Sequence, residues 1–266
     1  MFLYILKSYF TVLSENCELR YKRGTDEITK NTLQQNAQTK LIFVALICRI
    51  RHNSDMKFES LLSLVGDQPL FETGLLLAGD IDPNDIRRQL SRWVNTGKIR
   101  QLRRGLYMLE PPYQNVTPHP FLIANALVPG SYVSEQSALA YYGMIPEYAP
   151  RTLSVTTLRP SEWNGGFSFQ HIAPHFYFGY QFITLSSQQG AFVAKPEKAL
   201  LDLIHLTPRS DSPEYLSQLR LQNLEKMDLV QLHEFAERAR KPKWKRAAHF
   251  VTELAKQEES DYEELT

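Results

Sequence analysis

Cysteine is nearly missing from this chain: Cys17 and Cys48 are the only two, and both lie in the N-terminal stretch. A disulfide framework and a cysteine-built zinc site are thereby excluded as supports for the fold, and a reducing cytoplasm is the expected compartment. Long apolar runs are missing too. Met1 to Leu13 is interrupted by Lys7, and Leu41 to Cys48 is flanked by Lys40 and Arg49, so each falls well short of the ~20 residues that span a bilayer. No membrane partner is expected, and the first run lacks the basic start and small-residue cleavage site of a secretory signal. The phosphate-cradling G-x-x-x-x-G-K-S/T loop, the G-x-S-x-G elbow and the helical H-E-x-x-H site are absent as well. His171 and His175 have a metal-like separation, but Pro174 between them opposes the helical turn that would align them. No catalytic residue, cofactor or metal is therefore assigned, and the expectation is a chain that is not an enzyme.

What is present is a segregated charge. The formal net charge is only +1, yet Ile86 to Leu109 carries Arg87, Arg88, Arg92, Lys98, Arg100, Arg103 and Arg104 without one Asp or Glu. A one-signed window on a neutral chain points to a local polyanion-binding surface, because adjacent phosphates reward clustered cations and release counterions. The same window is patterned for structure. Asp82, Pro83 and Asn84 read as a helix start, with Asp85 favoured by the dipole in the first turn. Ile86, Leu90, Trp93 and Val94 then share one apolar stripe of a helix running to about Asn95, which leaves Arg87, Arg88, Ser91 and Arg92 facing out. Gly97 supplies the stop, and Lys98–Leu102 and Leu106–Leu109 pair as a hairpin with Arg103, Arg104 and Gly105 at its tip.

Upstream, Phe58, Leu61, Leu62 and Val65 have helical spacing, and Leu70 to Ala78 reads as a second short helix ending at Gly79. Two short helices, a basic third helix and a basic hairpin have the layout of a winged helix-turn-helix. In that layout the third helix enters the major groove of double-stranded DNA, where Arg and Ser reach base edges. Arg87, Arg88, Ser91 and Arg92 are accordingly assigned to the groove, and Arg100, Arg103 and Arg104 to wing contacts with phosphates or the minor groove. Trp93, Ile86 and Leu90 belong to the core. Tyr107 is open between packing and a phosphate hydrogen bond. The competing reading is a solvated basic face on an ordinary small domain.

The fold class expected is α+β: an N-terminal winged helix-turn-helix, then a mixed α+β domain with C-terminal helices. Residues 1–55 fit neither domain and read as an extension, with Met56 as the expected native start because a coherent helical period begins at Phe58. The DNA-binding domain covers 56–110, a proline-rich linker 111–120, the second domain 121–256 and an acidic tail 257–266. Within the second domain, helices are expected at Phe121–Leu127, at Ser134–Tyr142 with Ser134 and Ser137 serving the start and Gly143 the stop, and from Pro196. Strands are expected at Arg151–Leu158 and Phe167–Ile172, with a further pair around Phe176–Tyr180 and Gln181–Leu185. Beyond Pro213 the chain is helical, with Leu216, Leu219, Leu224, Leu229, Leu232 and Phe235 at buried positions. Arg238, Arg240, Lys241, Lys243, Lys245 and Arg246 form a second basic cluster, interrupted by Pro242, which extends a DNA footprint, binds another polyanion or lines a solvated helix face. Glu197, Lys198 and Asp202 have the residue types of a nuclease cluster, but further strand carboxylates are wanting, and a capped amphipathic helix with an intrahelical Lys198–Asp202 pair is preferred.

Three segments resemble one family. Ile99-Arg100-Gln101-Leu102-Arg103-Arg104-Gly105-Leu106-Tyr107, Ser131-Tyr132-Val133-Ser134-Glu135-Gln136-Ser137-Ala138-Leu139-Ala140-Tyr141-Tyr142-Gly143 and Lys195-Pro196-Glu197-Lys198-Ala199-Leu200-Leu201-Asp202 look like the AbiEi antitoxins in order and spacing. The likeness runs from about Lys57 to the basic C-terminal cluster. It implies an abortive-infection, type IV toxin–antitoxin protein that binds promoter DNA, represses its own operon and counteracts a nucleotidyltransferase-like toxin without a stable complex being required. No set of antitoxic residues is carried over. The alternatives are a stand-alone winged-helix regulator whose second domain binds a ligand or dimerises, and a nuclease-like enzyme using Glu197, Lys198 and Asp202.

Overall fold

The computed structural model describes residues 56–77, 82–146 and 150–264, with side chains as far as Gln257. The expectations for residues 1–55, including the start at Met56, and for a helix end at Gly79 lie outside the described residues. By internal contacts the chain divides into two units, one reaching Leu64 and including Leu76–Gln89, the other made of Val65–Leu75 and Leu90 onwards.

The first unit holds most of α1 (Phe58–Val65) and the first half of α3 (Pro83–Asn95). Of the predicted stripe, Phe58, Leu61 and Val65 are buried while Leu62 is only half-buried, and Leu64 is buried in addition. The start of α3 follows the sequence: the Asp82 carboxylate accepts the Asn84 amide at 2.6 Å, and Pro83 occupies the first position, where its missing N–H costs nothing. Along α3, Ile86, Leu90 and Trp93 are all buried.

The second unit holds β1 (Phe71–Glu72) and all but the last residue of α2 (Thr73–Leu76). The helix expected over Leu70–Ala78 is thus reduced to four residues, because the backbone of Phe71 and Glu72 pairs with the hairpin instead. Phe71 stacks on Tyr107 at 5.7 Å, and Thr73 N–H donates to the Gly105 carbonyl at 2.9 Å. The hairpin is β2 (Ile99–Arg103) and β3 (Leu106–Leu109), giving an antiparallel sheet of order β1-β3-β2. A bulge between Gln101 and Arg103 turns Leu102 toward the core of the second domain.

That domain is built on a mixed six-stranded sheet of order β6-β7-β5-β4-β9-β8. The strands are β4 (Tyr132–Val133), β5 (Thr152–Thr156), β6 (Ser161–Trp163), β7 (Phe167–His171), β8 (Tyr180–Thr184) and β9 (Gly190–Ala194). β5 runs parallel to β7 and β4 parallel to β9, while the other pairings are antiparallel. The strand pair expected at Phe176–Leu185 is corrected: Pro174–Phe176 is a 3-10 turn, and Tyr180–Thr184 pairs with Gly190–Ala194. Pro174 fixes the turn, and the short apolar run Gly190–Ala194 offers the ladder.

The helices are α4 (Pro120–Leu127), α5 (Glu135–Tyr141), α6 (Pro196–Leu206), α7 (Pro213–Gln218), α8 (Leu229–Ala239) and α9 (Pro242–Glu264). α6 lies at the centre, packed by α5, α8 and α9. Every residue from Glu197 to Ile204 is buried, so this helix is enclosed on all sides rather than amphipathic. At the start of α5, Ser134 holds the expected N-cap position and its carbonyl accepts the Ala138 amide at 3.2 Å, but its side chain makes no cap bond. The Ser137 hydroxyl, rather than capping, donates to the Arg151 carbonyl at 3.0 Å and accepts the Leu153 amide at 2.8 Å, tying α5 to β5. The 111–120 segment is pinned: the Gln189 side chain accepts the His119 amide at 2.7 Å and donates to the Thr117 carbonyl at 2.8 Å. Among the described residues no helix is long and apolar enough to cross a membrane.

Candidate functional site

Burial of Ile86, Leu90 and Trp93 forces the opposite side of α3 into solvent, and Arg87, Arg88, Ser91, Arg92 and Asn95 are all exposed there. The four assigned residues form two i, i+4 pairs, Arg87 with Ser91 and Arg88 with Arg92, on adjacent tracks of one helix face. Local partners distinguish them. Arg87 donates to the Asn84 side chain at 3.2 Å, and Arg88 is ion-paired to Asp85 one turn back. Ser91 and Arg92 have no side-chain partner among the described residues. Exposed ion pairs of this kind are weak, so Arg88 is released at little cost.

On the hairpin the three arginines differ. Arg100 is exposed and ion-paired to Glu110 on the neighbouring strand end. Arg104 is exposed at the turn, and its side chain has no partner among the described residues. Arg103 is turned inward with its side chain 25% exposed. It donates to the Ala126 carbonyl at 3.0 Å, the Arg104 carbonyl at 3.3 Å and the Glu72 carboxylate at 3.4 Å. Tyr107 resolves to packing: it is buried, stacks on Phe71, and accepts from the Gln101 amide at 3.2 Å. The sequence therefore identifies basic residues on α3 and on the hairpin but does not separate free cations from engaged ones.

A second polar centre lies inside the second domain. The Lys198–Asp202 pair expected from its i, i+4 spacing is present, but both side chains are fully buried. The Asp202 carboxylate also accepts from the Ser134 hydroxyl at 2.7 Å and the Tyr132 hydroxyl at 3.0 Å, while the Lys198 ammonium donates to Tyr132 at 3.0 Å. Lys198 Nζ lies 5.4 to 5.5 Å from the ring centres of Tyr132, Phe178 and Trp244, where ring quadrupoles favour a cation. Burial pulls the Lys198 pKa down, against the raising effect of Asp202, and pushes the Tyr132 hydroxyl up. Gly179 makes the close packing possible: at φ +73°, an added Cβ would lie 3.0 Å from Lys198 and Phe235 side-chain atoms.

Glu135 stands beside this centre at the start of α5, buried, at φ +52°. Its Oε1 has no hydrogen-bond partner among the described residues. Burial, with the neighbouring Asp202 charge second, raises its pKa to about 8. Tyr132, Ser134 and Glu135 were not linked to Lys198 and Asp202 by periodicity, because 60 or more residues separate the two segments. Glu197, the third member of the considered cluster, has its carboxylate accepting the Asp228 amide at 2.8 Å. Chemically the centre is a set of mutually satisfied buried groups that fastens β4 and the start of α5 to α6.

The C-terminal basic cluster is largely engaged with its own domain. Arg238 lies 4.0 Å above the Phe178 ring, Lys241 5.5 Å from the Phe176 ring, and Lys243 donates to the Thr207 carbonyl. Lys245 pairs with Glu237 and Arg246 with Asp211, both at 2.6 Å. These contacts, with most of the side chains still exposed, favour the solvated-helix reading of this cluster. His171 Nδ1 is 2.9 Å from the Leu158 carbonyl, and no group of three or more potential metal-ligating side chains forms among the described residues.

No family model matches the chain, and none of the curated proteins matches it. Among solved structures, the chain is similar to the crystal structure of the Rv2827c protein from Mycobacterium tuberculosis. The two share 15% identity, over 76% of this chain and 80% of that one, with a TM-score of 0.49.

Proposed function

We propose that this chain is a DNA-binding transcriptional repressor of its own operon and the antitoxin of a type IV toxin–antitoxin system. Its first domain is read as a winged helix-turn-helix. The observation that carries the DNA reading is α3, a 13-residue helix with one face buried and a solvent row of Arg87, Arg88, Ser91 and Arg92. A helix of that length spans about 20 Å and presents its cations within the width of a major groove. The order helix, short strand, short helix, basic helix, hairpin, with sheet order β1-β3-β2, supports the winged-helix reading.

The antitoxin half rests on the AbiEi resemblance. Its support from geometry is that residues of two resembling segments, Tyr132 and Ser134 in one and Lys198 and Asp202 in the other, meet in a single buried centre. The burial of Lys198 and Asp202 and the backbone engagement of Glu197 support reading that trio as scaffold rather than nuclease. The partner implied is a nucleotidyltransferase-like toxin, opposed without a stable complex.

The test is a gel-shift titration of the chain against the DNA upstream of its own gene, with scrambled competitor and varied salt, joined to co-expression with the neighbouring gene. Sequence-preferring, salt-sensitive binding and rescue of growth are expected. Binding without rescue leaves a stand-alone regulator, and no binding at low salt removes the winged-helix assignment.

A further inference from the structure

We propose, on the DNA-binding reading above, that Arg103 is a positioning residue that fixes the hairpin turn, and that Arg104 is the residue the turn presents to phosphate. Three donors of the Arg103 guanidinium are committed to Ala126, Arg104 and Glu72. The Ala126 bond matters most. Ala126 lies in the last turn of α4, where carbonyls have no intrahelical partner and the helix dipole is negative. The Val128 amide closes on the Ala124 carbonyl, so the Ala126 oxygen takes its donor from Arg103. A guanidinium at that position satisfies the carbonyl and complements the dipole at once.

The rest of the turn is held by independent contacts. Leu102, turned by the bulge, packs against the second domain's core. On the other flank the Gly105 carbonyl accepts from the Thr73 amide at 2.9 Å and the Thr73 hydroxyl at 3.5 Å. Gly105 at φ +82° allows the tight reversal. Between these anchors Arg104 projects with an exposed side chain and no side-chain partner among the described residues. For Arg103 to reach a phosphate, the fork must leave a helix end and a carboxylate. Arg104 leaves nothing.

The experiment compares the full chain with Arg103→Gln, Arg103→Lys and Arg104→Gln. Affinity for the upstream DNA is read over a series of salt concentrations, and hydrogen exchange is followed in peptides covering 120–130. Arg104→Gln lowers the slope of log K against log salt by about one unit, as loss of one phosphate contact does, and leaves exchange unchanged. Arg103→Gln leaves the slope intact, weakens binding by a similar factor at every salt concentration, and speeds exchange at the end of α4. Arg103→Lys behaves like Arg103→Gln, because a point charge does not replace a planar fork. A slope reduced by Arg103→Gln and restored by Arg103→Lys would overturn the proposal, as would unchanged exchange near Ala126. Wild-type chain that binds no DNA defeats the proposed function and the DNA half of this inference, while the exchange result still reports on the tie itself.

Discussion

Replacing Glu135 by glutamine tests whether the second domain carries a carboxyl that burial holds neutral. Glu135 is 6% exposed, its Oε1 has no hydrogen-bond partner among the described residues, and Asp202 adds a like charge nearby. Its pKa in the fold is about 8, against an ordinary value of 4.5. Between those two values the native chain holds a proton that the unfolded chain has released, so stability falls as pH rises through this window. Working the linkage with about 1.36 kcal/mol per pKa unit, the penalty is about 2 kcal/mol at pH 6, about 3 at pH 7 and about 4 at pH 8. An amide carries no such penalty. Glu135→Gln therefore gains stability over the parent progressively from pH 5 to 8, on top of a pH-independent offset from exchanging one imperfectly bonded group for another. Urea melts of both proteins at pH 5, 6, 7 and 8 read the difference directly. A difference that stays flat over those pH values would refute the argument, whatever its absolute size.

Asp202→Asn leaves the Lys198 ammonium buried without its counter-charge and should cost about 3 to 5 kcal/mol in urea melts, while Lys198→Met with Asp202→Leu together should recover much of it. Leu90→Ala, at a position 1% exposed on α3, should cost about 2 to 5 kcal/mol and lower the melting temperature; a melt unchanged from the parent would remove Leu90 from the core. Arg92→Ala should leave the melting temperature unchanged and reduce the salt slope of DNA binding by about one unit, since its exposed side chain holds no internal partner among the described residues.

Local rules made much of the chain legible. The Asp82–Pro83 start, the Ile86, Leu90 and Trp93 stripe, the hairpin around Arg104 and Gly105, and the Pro196 helix all follow from caps, period and turn residues within one stretch. The departures are where a distant partner outbid the local pattern. Phe71 and Glu72 leave a helix-like run because β3 offers backbone pairing and Tyr107 a stacking ring. Ser134 stays at the N-cap of α5, but its hydroxyl makes no cap bond because the Asp202 carboxylate, far along the chain, accepts it. Gly190–Ala194 becomes a strand through pairing with Tyr180–Thr184 and with β4, and neither partner adjoins it in a two-residue turn.

The same distinction governs the charges. Counting arginines gives a basic window but says nothing about which cations remain free, since that depends on carbonyls and carboxylates brought in by other elements. In the described residues Arg92 and Arg104 are free, the exposed Arg88 and Arg100 pair with half-buried carboxylates, and Arg103 is bound to a helix end. An exposed pair yields to a phosphate for well under the energy of the new contact, whereas a half-buried fork that satisfies an orphaned carbonyl does not. Affinity for a polyanion should therefore be graded among these arginines rather than shared equally: Arg92 and Arg104 first, Arg88 and Arg100 after loss of their partners, and Arg103 only through the shape it imposes.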